Sequence, residues 1–85
     1  MNAQFELTYK KVKETLISID STIETSDLDL HVNLLKEGII DSFTFIQFVG
    51  ELEDSFGISF KDDDVNSENF RSLNTVTLFI ISITK

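Results

Sequence analysis

The stretch EGIIDSFTFIQFVGELEDSFGISF, residues 37–60, predicts one amphipathic helix with a recognisable start and end. Asp41 and Ser42 follow a glycine-containing loop, and both residue types favour the N-cap and first turn of a helix. The apolar residues after them recur at steps of three and four, which is the period of one helix face. Gly57 is a residue type that commonly ends a helix. The predicted apolar face consists of Ile46, Val49, Leu52 and Phe56, widened by Phe45 and Phe48.

The N-terminal part of the chain shows the same helical period. Lysines and a glutamate lie between its apolar positions and would face water. The spacing predicts a first helix from about Gln4 to Ile19. Its inward face is predicted to consist of Phe5, Tyr9, Val12, Leu16 and Ile19.

The segment NTVTLFIISI, residues 74–83, is rich in β-branched residues and fits either a helix or a strand. A strand would have no partner elsewhere in the chain, and an isolated hairpin is at best marginally stable. We therefore predict a last helix, with Asn74 or Thr75 as its N-cap. Its apolar positions are Val76, Phe79, Ile80 and Ile83.

Two connecting segments carry further signals. Residues 20–38 are rich in Asp, Ser and Thr, but leucines interrupt them and are expected to hold this loop on the core. Gly38 predicts the break before the next helix. The segment NSENF, residues 66–70, predicts a short helical turn capped by Asn66 or Ser67. The leucines of the first loop are Leu28, Leu30, Leu34 and Leu35.

These elements together predict an all-α fold. We expect a small four-helix bundle of three main helices and one short helix, with a long loop between helices 1 and 2. A chain of 85 residues has the length of one domain, which is expected to span residues 1–85.

The composition excludes several classes of function. The chain has 15 acidic and 7 basic residues and a net charge of −8, which argues against binding to nucleic acid. The acidity fits either basic partners or a simple requirement for solubility. Because there is no cysteine, the chain itself supplies no disulfide, thiolate metal site or thiol nucleophile.

Neither a targeting segment nor a metal site is predicted. The N-terminus lacks the basic and apolar regions of a secretory signal, and the apolar run near residues 76–83 is too short to span a bilayer. A cytoplasmic location is the resulting expectation. Asp27, Asp29 and His31 alternate in the first loop, but an EF-hand that began at Asp27 would need glycine where Val32 stands.

Ser42 has two interpretations that the residues alone leave open. As a neighbour of the N-cap, it needs no function beyond starting a helix. A helix N-terminus also suits a phosphate group, and a serine hydroxyl at that position is accessible for modification. A catalytic triad is excluded, because the sole histidine, His31, lies in the leucine-containing loop with nothing to bring it to Ser42.

A family resemblance adds to this reading. The segment LLKEGIIDSFTFIQFVGELEDSFGISF, residues 34–60, resembles the core of an acyl carrier protein, a family that includes peptidyl and aminoacyl carrier domains. The segment NSENFRSLNTVTLFI, residues 66–80, is similar to the third and fourth helices of that family. The Asp-Ser pair alone is a weak motif, but within this order and length of elements it is specific.

The resemblance implies a covalent cofactor, 4′-phosphopantetheine, on Ser42. A phosphopantetheinyl transferase would attach it from coenzyme A, and Asp41 would help to engage that transferase. The thiol of the cofactor would hold acyl or aminoacyl groups as thioesters. Such a protein is a carrier and not an enzyme, and is expected to be a monomer. Its further partners would be an acyl or aminoacyl ligase and an acyltransferase or synthase.

The resemblance also implies a partner-binding surface on the second helix. This sequence departs from the fatty-acid type, because Thr44 and Gln47 stand where acidic residues are frequent and Phe43 stands where leucine is usual. It looks more like carriers of D-alanine transfer or nonribosomal peptide pathways. Phe43 is expected either to contact a partner or to pack on the long loop. The predicted partner-binding residues are Phe43, Gln47, Glu51, Glu53 and Asp54.

A second function remains compatible with the sequence. The chain would then be an acidic helical protein-interaction module without modification, in which Ser42 belongs only to the start of a helix. Modification of Ser42 by a transferase distinguishes the two functions.

Overall fold

Three α-helices and one short 3₁₀ turn form the fold of the computed structural model, which describes residues 3–21, 23 and 30–84. The prediction of an all-α bundle with three main helices and one short helical element is confirmed, and the described residues contain no strand. The elements are α1 (Ala3–Ile19), α2 (Ser42–Phe56), the 3₁₀ turn (Asp62–Asp64) and α3 (Leu73–Thr84).

The core forms where α1 packs against both α2 and α3. Each helix contributes one apolar stripe. The loop before α2 adds Leu34 and Ile40, and the segment before α3 adds Phe70. Lys11 of α1 covers the outer edge of this core, with its ammonium 4.8 Å from the ring centroid of Phe56. The buried apolar residues are Val12, Leu16, Leu34, Ile40, Phe48, Leu52, Phe70, Leu73, Val76 and Ile80.

Helix α2 begins and ends at the predicted residues. Asp41 is its N-cap, and its side chain accepts a hydrogen bond from the backbone N–H of Thr44 at 2.7 Å. Gly57 adopts the left-handed conformation (φ 63°) and donates its N–H to the carbonyl of Glu53, which is a common way to end a helix. A side chain built at Gly50 would meet nothing within 4 Å, so no close approach to the backbone requires this glycine.

The prediction that Ile46 faces the core is wrong. Its side chain is 70% exposed, whereas Phe48 and Leu52 are fully buried. At 3.6 residues per turn, two positions along a helix correspond to about 200° of rotation, so Ile46 lies opposite Phe48. The inward stripe of α2 therefore runs through Phe45, Phe48, Val49, Leu52 and Phe56.

The loop before α2 is held on the core, as predicted, by some of its leucines. Leu34 is fully buried, and its N–H donates to the carbonyl of Arg71 at 2.8 Å. Leu30 packs against the core, and its carbonyl accepts a hydrogen bond from Asn74 at 3.0 Å. Leu35 is 37% exposed and contributes little, while Leu28 lies outside the described residues.

The connector between α2 and α3, residues 57–72, contains two turns. The residues with 3₁₀ geometry are Asp62–Asp64, ahead of the predicted segment. Residues 66–70 form a single turn, in which Phe70 donates its N–H to the carbonyl of Asn66 at 3.2 Å. Asn66 also accepts hydrogen bonds from two following backbone N–H groups, so its predicted capping role is confirmed.

Helix α3 is confirmed as a helix, but its predicted N-caps are wrong. The helix begins at Leu73, so the capping position falls on Ser72. The Ser72 hydroxyl accepts from the N–H of Thr75 at 3.2 Å, and the Thr75 hydroxyl accepts from the N–H of Ser72 at 3.0 Å. This reciprocal pair satisfies two free donors at the helix start. At the other end, Ile83 is 40% exposed and lies outside the core.

Candidate functional site

Ser42 is the first residue of α2, and its side chain is exposed. The chain reaches it through Gly38, whose positive φ of 72° turns the backbone, and then through Ile40, which is 4% exposed. The N–H of Ile40 donates to the carbonyl of Leu34 at 3.1 Å, and both side chains are buried. These contacts fix the backbone directly before an accessible hydroxyl.

Asp41 is exposed and combines a cap with a negative charge next to Ser42. The pKa of its carboxyl is lowered from the ordinary value of 3.8, chiefly because the carboxylate accepts the hydrogen bond from the Thr44 N–H, and also because of the Thr44 hydroxyl. Hydrogen bonds to the charged form of a carboxyl favour that form. Asp41 is therefore ionised at neutral pH.

The outer face of α2 has an apolar half and an acidic half. Phe43 and Ile46 are each 70% exposed and lie within about one turn of Ser42. Gln47, Glu51 and Asp54 are exposed further along the same face. The helix contains no lysine or arginine, so all of its charged side chains are acidic. We refer to Phe43, Ile46, Gln47, Glu51 and Asp54 as the α2 outer face.

Ile46 belongs to this face although its step of three to Val49 predicts that it lies on the apolar stripe. Only the position of the buried Phe48 shows that Ile46 faces outward. The sequence alone allows Phe43 either to contact a partner or to pack on the loop. A ring that is 70% exposed gains little from packing on the loop, which favours contact with another molecule.

Glu53 has a different environment from the other acidic residues of α2. It is half-buried, and its Oε2 accepts a hydrogen bond from the backbone N–H of Phe60 at 2.8 Å. This bond ties the C-terminal half of α2 to the connector. The carboxylate is thus engaged within the chain, in contrast to the exposed Glu51 and Asp54.

A shallow groove runs between the end of α1 and the outer face of α2. Gly50 is one of its lining residues on the α2 side. Glu51 and Asp54 give it a negative rim. The lining residues are Ser18, Ile19, Gln47, Gly50, Glu51 and Asp54.

The described residues were also searched for a metal site, a histidine-based site and a membrane-spanning helix. No group of three potential metal ligands comes together there. His31 lies in a turn and is exposed, and the neighbouring Asp27 and Asp29 lie outside the described residues. Among those residues, no helix combines the length and apolar character that a membrane crossing requires.

Comparison with known proteins identifies the family. The family model described as a phosphopantetheine attachment site matches residues 10–80, which include all of α2. The D-alanyl carrier protein of Lactococcus lactis subsp. cremoris strain MG1363 is 34% identical over 68 residues, covering 76% of this chain and 86% of that protein. The D-alanyl carrier protein of Lactococcus lactis subsp. lactis strain IL1403 is 32% identical with the same coverage. No solved structure matches the chain at a significant level.

The chain therefore belongs to the family of phosphopantetheine-binding carrier proteins. Its prosthetic group is a covalently bound 4′-phosphopantetheine. The attachment of this group needs an accessible hydroxyl, and the exposed Ser42 at the start of α2 has one. Proteins of this class work with transferases and ligases.

Proposed function

We propose that Ser42 carries the 4′-phosphopantetheine and that the chain is a carrier rather than an enzyme. The main support is its position: an exposed hydroxyl at the first residue of a capped helix, held by the buried Leu34 and Ile40, within the matched region. The N-terminus of α2 favours a phosphate group there, because free N–H groups and the positive end of the helix dipole face it.

The attachment reaction balances around the Ser42 hydroxyl. Ser42 Oγ attacks the phosphorus of coenzyme A that bears the pantetheine, and the pyrophosphate bond breaks. Adenosine 3′,5′-bisphosphate leaves with the electron pair of that bond, and the hydroxyl proton passes to the transferase or to solvent. Asp41, ionised beside the hydroxyl, is proposed to engage the transferase and its Mg²⁺.

The bound group supplies the thiol that the chain lacks, and this thiol holds the cargo as a thioester. An aminoacyl cargo, and specifically D-alanine, is supported by the D-alanyl carrier proteins to which the chain is similar. It is also supported by Thr44 and Gln47, which stand in place of the acidic residues typical of fatty-acid carriers. The loading partner would then be an adenylating ligase, and the acceptor an acyltransferase.

The α2 outer face is proposed as the surface that these partners bind. Its apolar half adjoins Ser42, so a partner that receives the arm would cover Phe43 and Ile46. Its acidic half would attract basic side chains, and the groove above Gly50 leaves room for one. Binding here tethers the cargo at the partner's active site and raises its effective concentration. A cytoplasmic location remains a prediction.

Intact mass spectrometry tests the attachment site directly. The protein is incubated with coenzyme A, Mg²⁺ and a broad-specificity phosphopantetheinyl transferase. We expect one phosphopantetheine adduct on the native chain and none on Ser42→Ala. Ser59→Ala is the matched control, because Ser59 is also exposed but lies in the connector, and it should be modified like the native chain.

The unmodified interaction module is the competing function. The capping bond of Asp41 alone explains an Asp-Ser pair at a helix start, so that function needs no adduct. Lack of modification by several transferases, with a correctly folded chain, would favour it.

A ligase assay tests the cargo. We expect the modified chain to accept D-alanine from a D-alanine-activating ligase and ATP, and to be a poor acceptor for a long-chain acyl ligase. Loading by the second ligase only would overturn the aminoacyl assignment and leave the attachment site untouched.

A further inference from the structure

Four phenylalanine side chains fill the space between α2 and α3. Within the described residues, no Cα atom of α2 lies within 8 Å of a Cα atom of α3, so the two helices leave a gap across the bundle. Phe45 enters this gap from α2 and Phe79 from α3. Phe60 and Phe70 enter it from the connector. We call these four residues the aromatic cluster.

Phe70 is the centre of the aromatic cluster and is 1% exposed. Its ring centroid lies 5.6 Å from that of Phe45, 5.3 Å from that of Phe60 and 6.1 Å from that of Phe79. The rings of Phe60 and Phe79 stack at 5.7 Å. Centroid separations in this range mean direct contact between rings. The gap between the helices is therefore closed by aromatic packing.

The cluster begins close to the proposed attachment site. Phe45 lies three residues after Ser42, about one helical turn away, and packs inward. If the arm folded back and its acyl chain entered the bundle near Ser42, the chain would meet Phe45 first and Phe70 next. To pass between two side chains it needs a van der Waals distance of about 4 Å on each side, or about 8 Å in all. The observed ring contacts leave no such space.

We propose that the aromatic cluster is a specificity determinant that keeps long acyl chains out of the bundle. The carrier then holds short or polar acyl groups, with the thioester outside the core. A long chain would have to displace rings that are already buried, so it would replace one set of apolar contacts by another and gain nothing. This inference rests on the proposed function, because it takes Ser42 as the point of attachment.

The test compares two cargoes on one carrier by NMR. The transferase is supplied with acetyl-coenzyme A or octanoyl-coenzyme A, and mass spectrometry first verifies loading on Ser42. We expect the octanoyl and acetyl forms to have the same ring resonances for Phe60, Phe70 and Phe79. Octanoyl-specific shifts of these rings, accompanied by slower cleavage of the thioester by hydroxylamine, would overturn the proposal. A failure to load at all would instead count against Ser42 as the attachment site.

A variant that opens the cluster makes the role of the rings explicit. Phe45→Ala should admit the octanoyl chain, producing octanoyl-specific shifts at Phe70. Phe56→Ala is the matched control, because it removes another half-buried ring of α2 outside the cluster and should admit nothing. Phe79→Leu serves as a second opening variant if Phe45→Ala does not fold, as judged by circular dichroism. A folded opening variant that still shows no octanoyl-specific shift would contradict the role of the rings.

Discussion

Asp41 and Ser42 stand where the fold and the proposed function meet, at the start of α2. Asp41 starts α2 by accepting the Thr44 N–H, and Ser42 then presents its hydroxyl at the helix end that favours a phosphate. The structural role of Asp41 does not compete with the proposed chemistry, because the cap itself keeps the carboxyl charged. The free N–H groups at the start of α2 explain both roles of the pair. Asp41 accepts a hydrogen bond from one of them, and together they favour a phosphate group on Ser42.

The cap predicts a defined response to mutation and pH. Asp41→Ala removes the acceptor for the Thr44 N–H and should lower the Tm, whereas Asp41→Asn keeps an acceptor and should lower it less. The folded pKa of Asp41 lies below its ordinary value of 3.8, so its contribution is present above that value and is lost as the pH falls through the folded pKa.

Thermal unfolding of the three proteins between neutral and strongly acidic pH measures this response. The difference between the native chain and Asp41→Asn should shrink as the pH falls below 3.8. Equal Tm values for the native chain and Asp41→Ala at neutral pH would show that the cap contributes nothing.

The inward and outward residues of α2 give a second prediction at this scale. Ile46→Gln should change the free energy of unfolding by no more than about 0.5 kcal/mol, because the side chain is 70% exposed. Phe48→Ala, two residues further on, should cost about 3–5 kcal/mol because it empties a fully buried site. Urea unfolding compares them, and a large loss for Ile46→Gln would contradict the observed orientation of α2.

At the scale of elements, the limits of sequence-based prediction follow from particular residues. The bounds of α2 were predictable because a clear apolar period runs between a capping residue, Asp41, and a glycine, Gly57. The bounds of α1 followed from its apolar period alone. The orientation of α2 was harder to predict, because the apolar residues at 43, 45, 46, 48 and 49 span about 220° of the helix circumference. The start of α3 was ambiguous because Ser72, Asn74 and Thr75 all have capping side chains, and only the packing of Leu73 decides among them.

Contacts with the connector between α2 and α3 are the part of the candidate site that the sequence does not predict. Ser42 and the outer acidic residues follow from the motif and its spacing. That Glu53 differs from Glu51 depends on a bond to Phe60, seven residues away, which no local period encodes. The gap between α2 and α3 is likewise a tertiary property, because its four rings come from three separate segments.

The Glu53 bond yields a prediction for α2 and the connector. Glu53→Ala should destabilise the chain by about 1 kcal/mol, because it leaves the half-buried N–H of Phe60 without its acceptor. Glu51→Ala, at an exposed position of the same helix, is the matched control and should be close to neutral. Denaturant unfolding of both variants measures the difference, and equal stabilities would mean that the bond is energetically unimportant.

The whole molecule is a small acidic helical bundle that presents the Ser42 hydroxyl at the start of α2. α1 supports both other helices, the loop of residues 30–40 is hydrogen-bonded to the segment before α3, and α2 carries Ser42 and the outer face. The chain has a net charge of −8, and α2, the helix proposed to bind partners, contains no basic residue. Long-range attraction should therefore bring basic partners to the chain, and the apolar residues beside Ser42 should hold them there.

The two halves of the α2 outer face should respond differently to salt when a ligase loads the carrier. Glu51→Lys should raise the KM of the ligase for the carrier at low ionic strength, and the effect should fade as salt screens the charges. Phe43→Ala should raise the KM at all salt concentrations, because it removes apolar contact area. Steady-state kinetics at several ionic strengths separates the two, and native KM values for both variants would exclude this face as the docking surface.

Ser42 alone is proposed to carry the arm. Fragment mass spectrometry of the chain after modification by a phosphopantetheinyl transferase tests this directly, because it locates the adduct on a single residue. We expect one adduct, on Ser42, and none on any other serine or threonine. An adduct on a different residue, or a correctly folded chain that no transferase modifies, would contradict it.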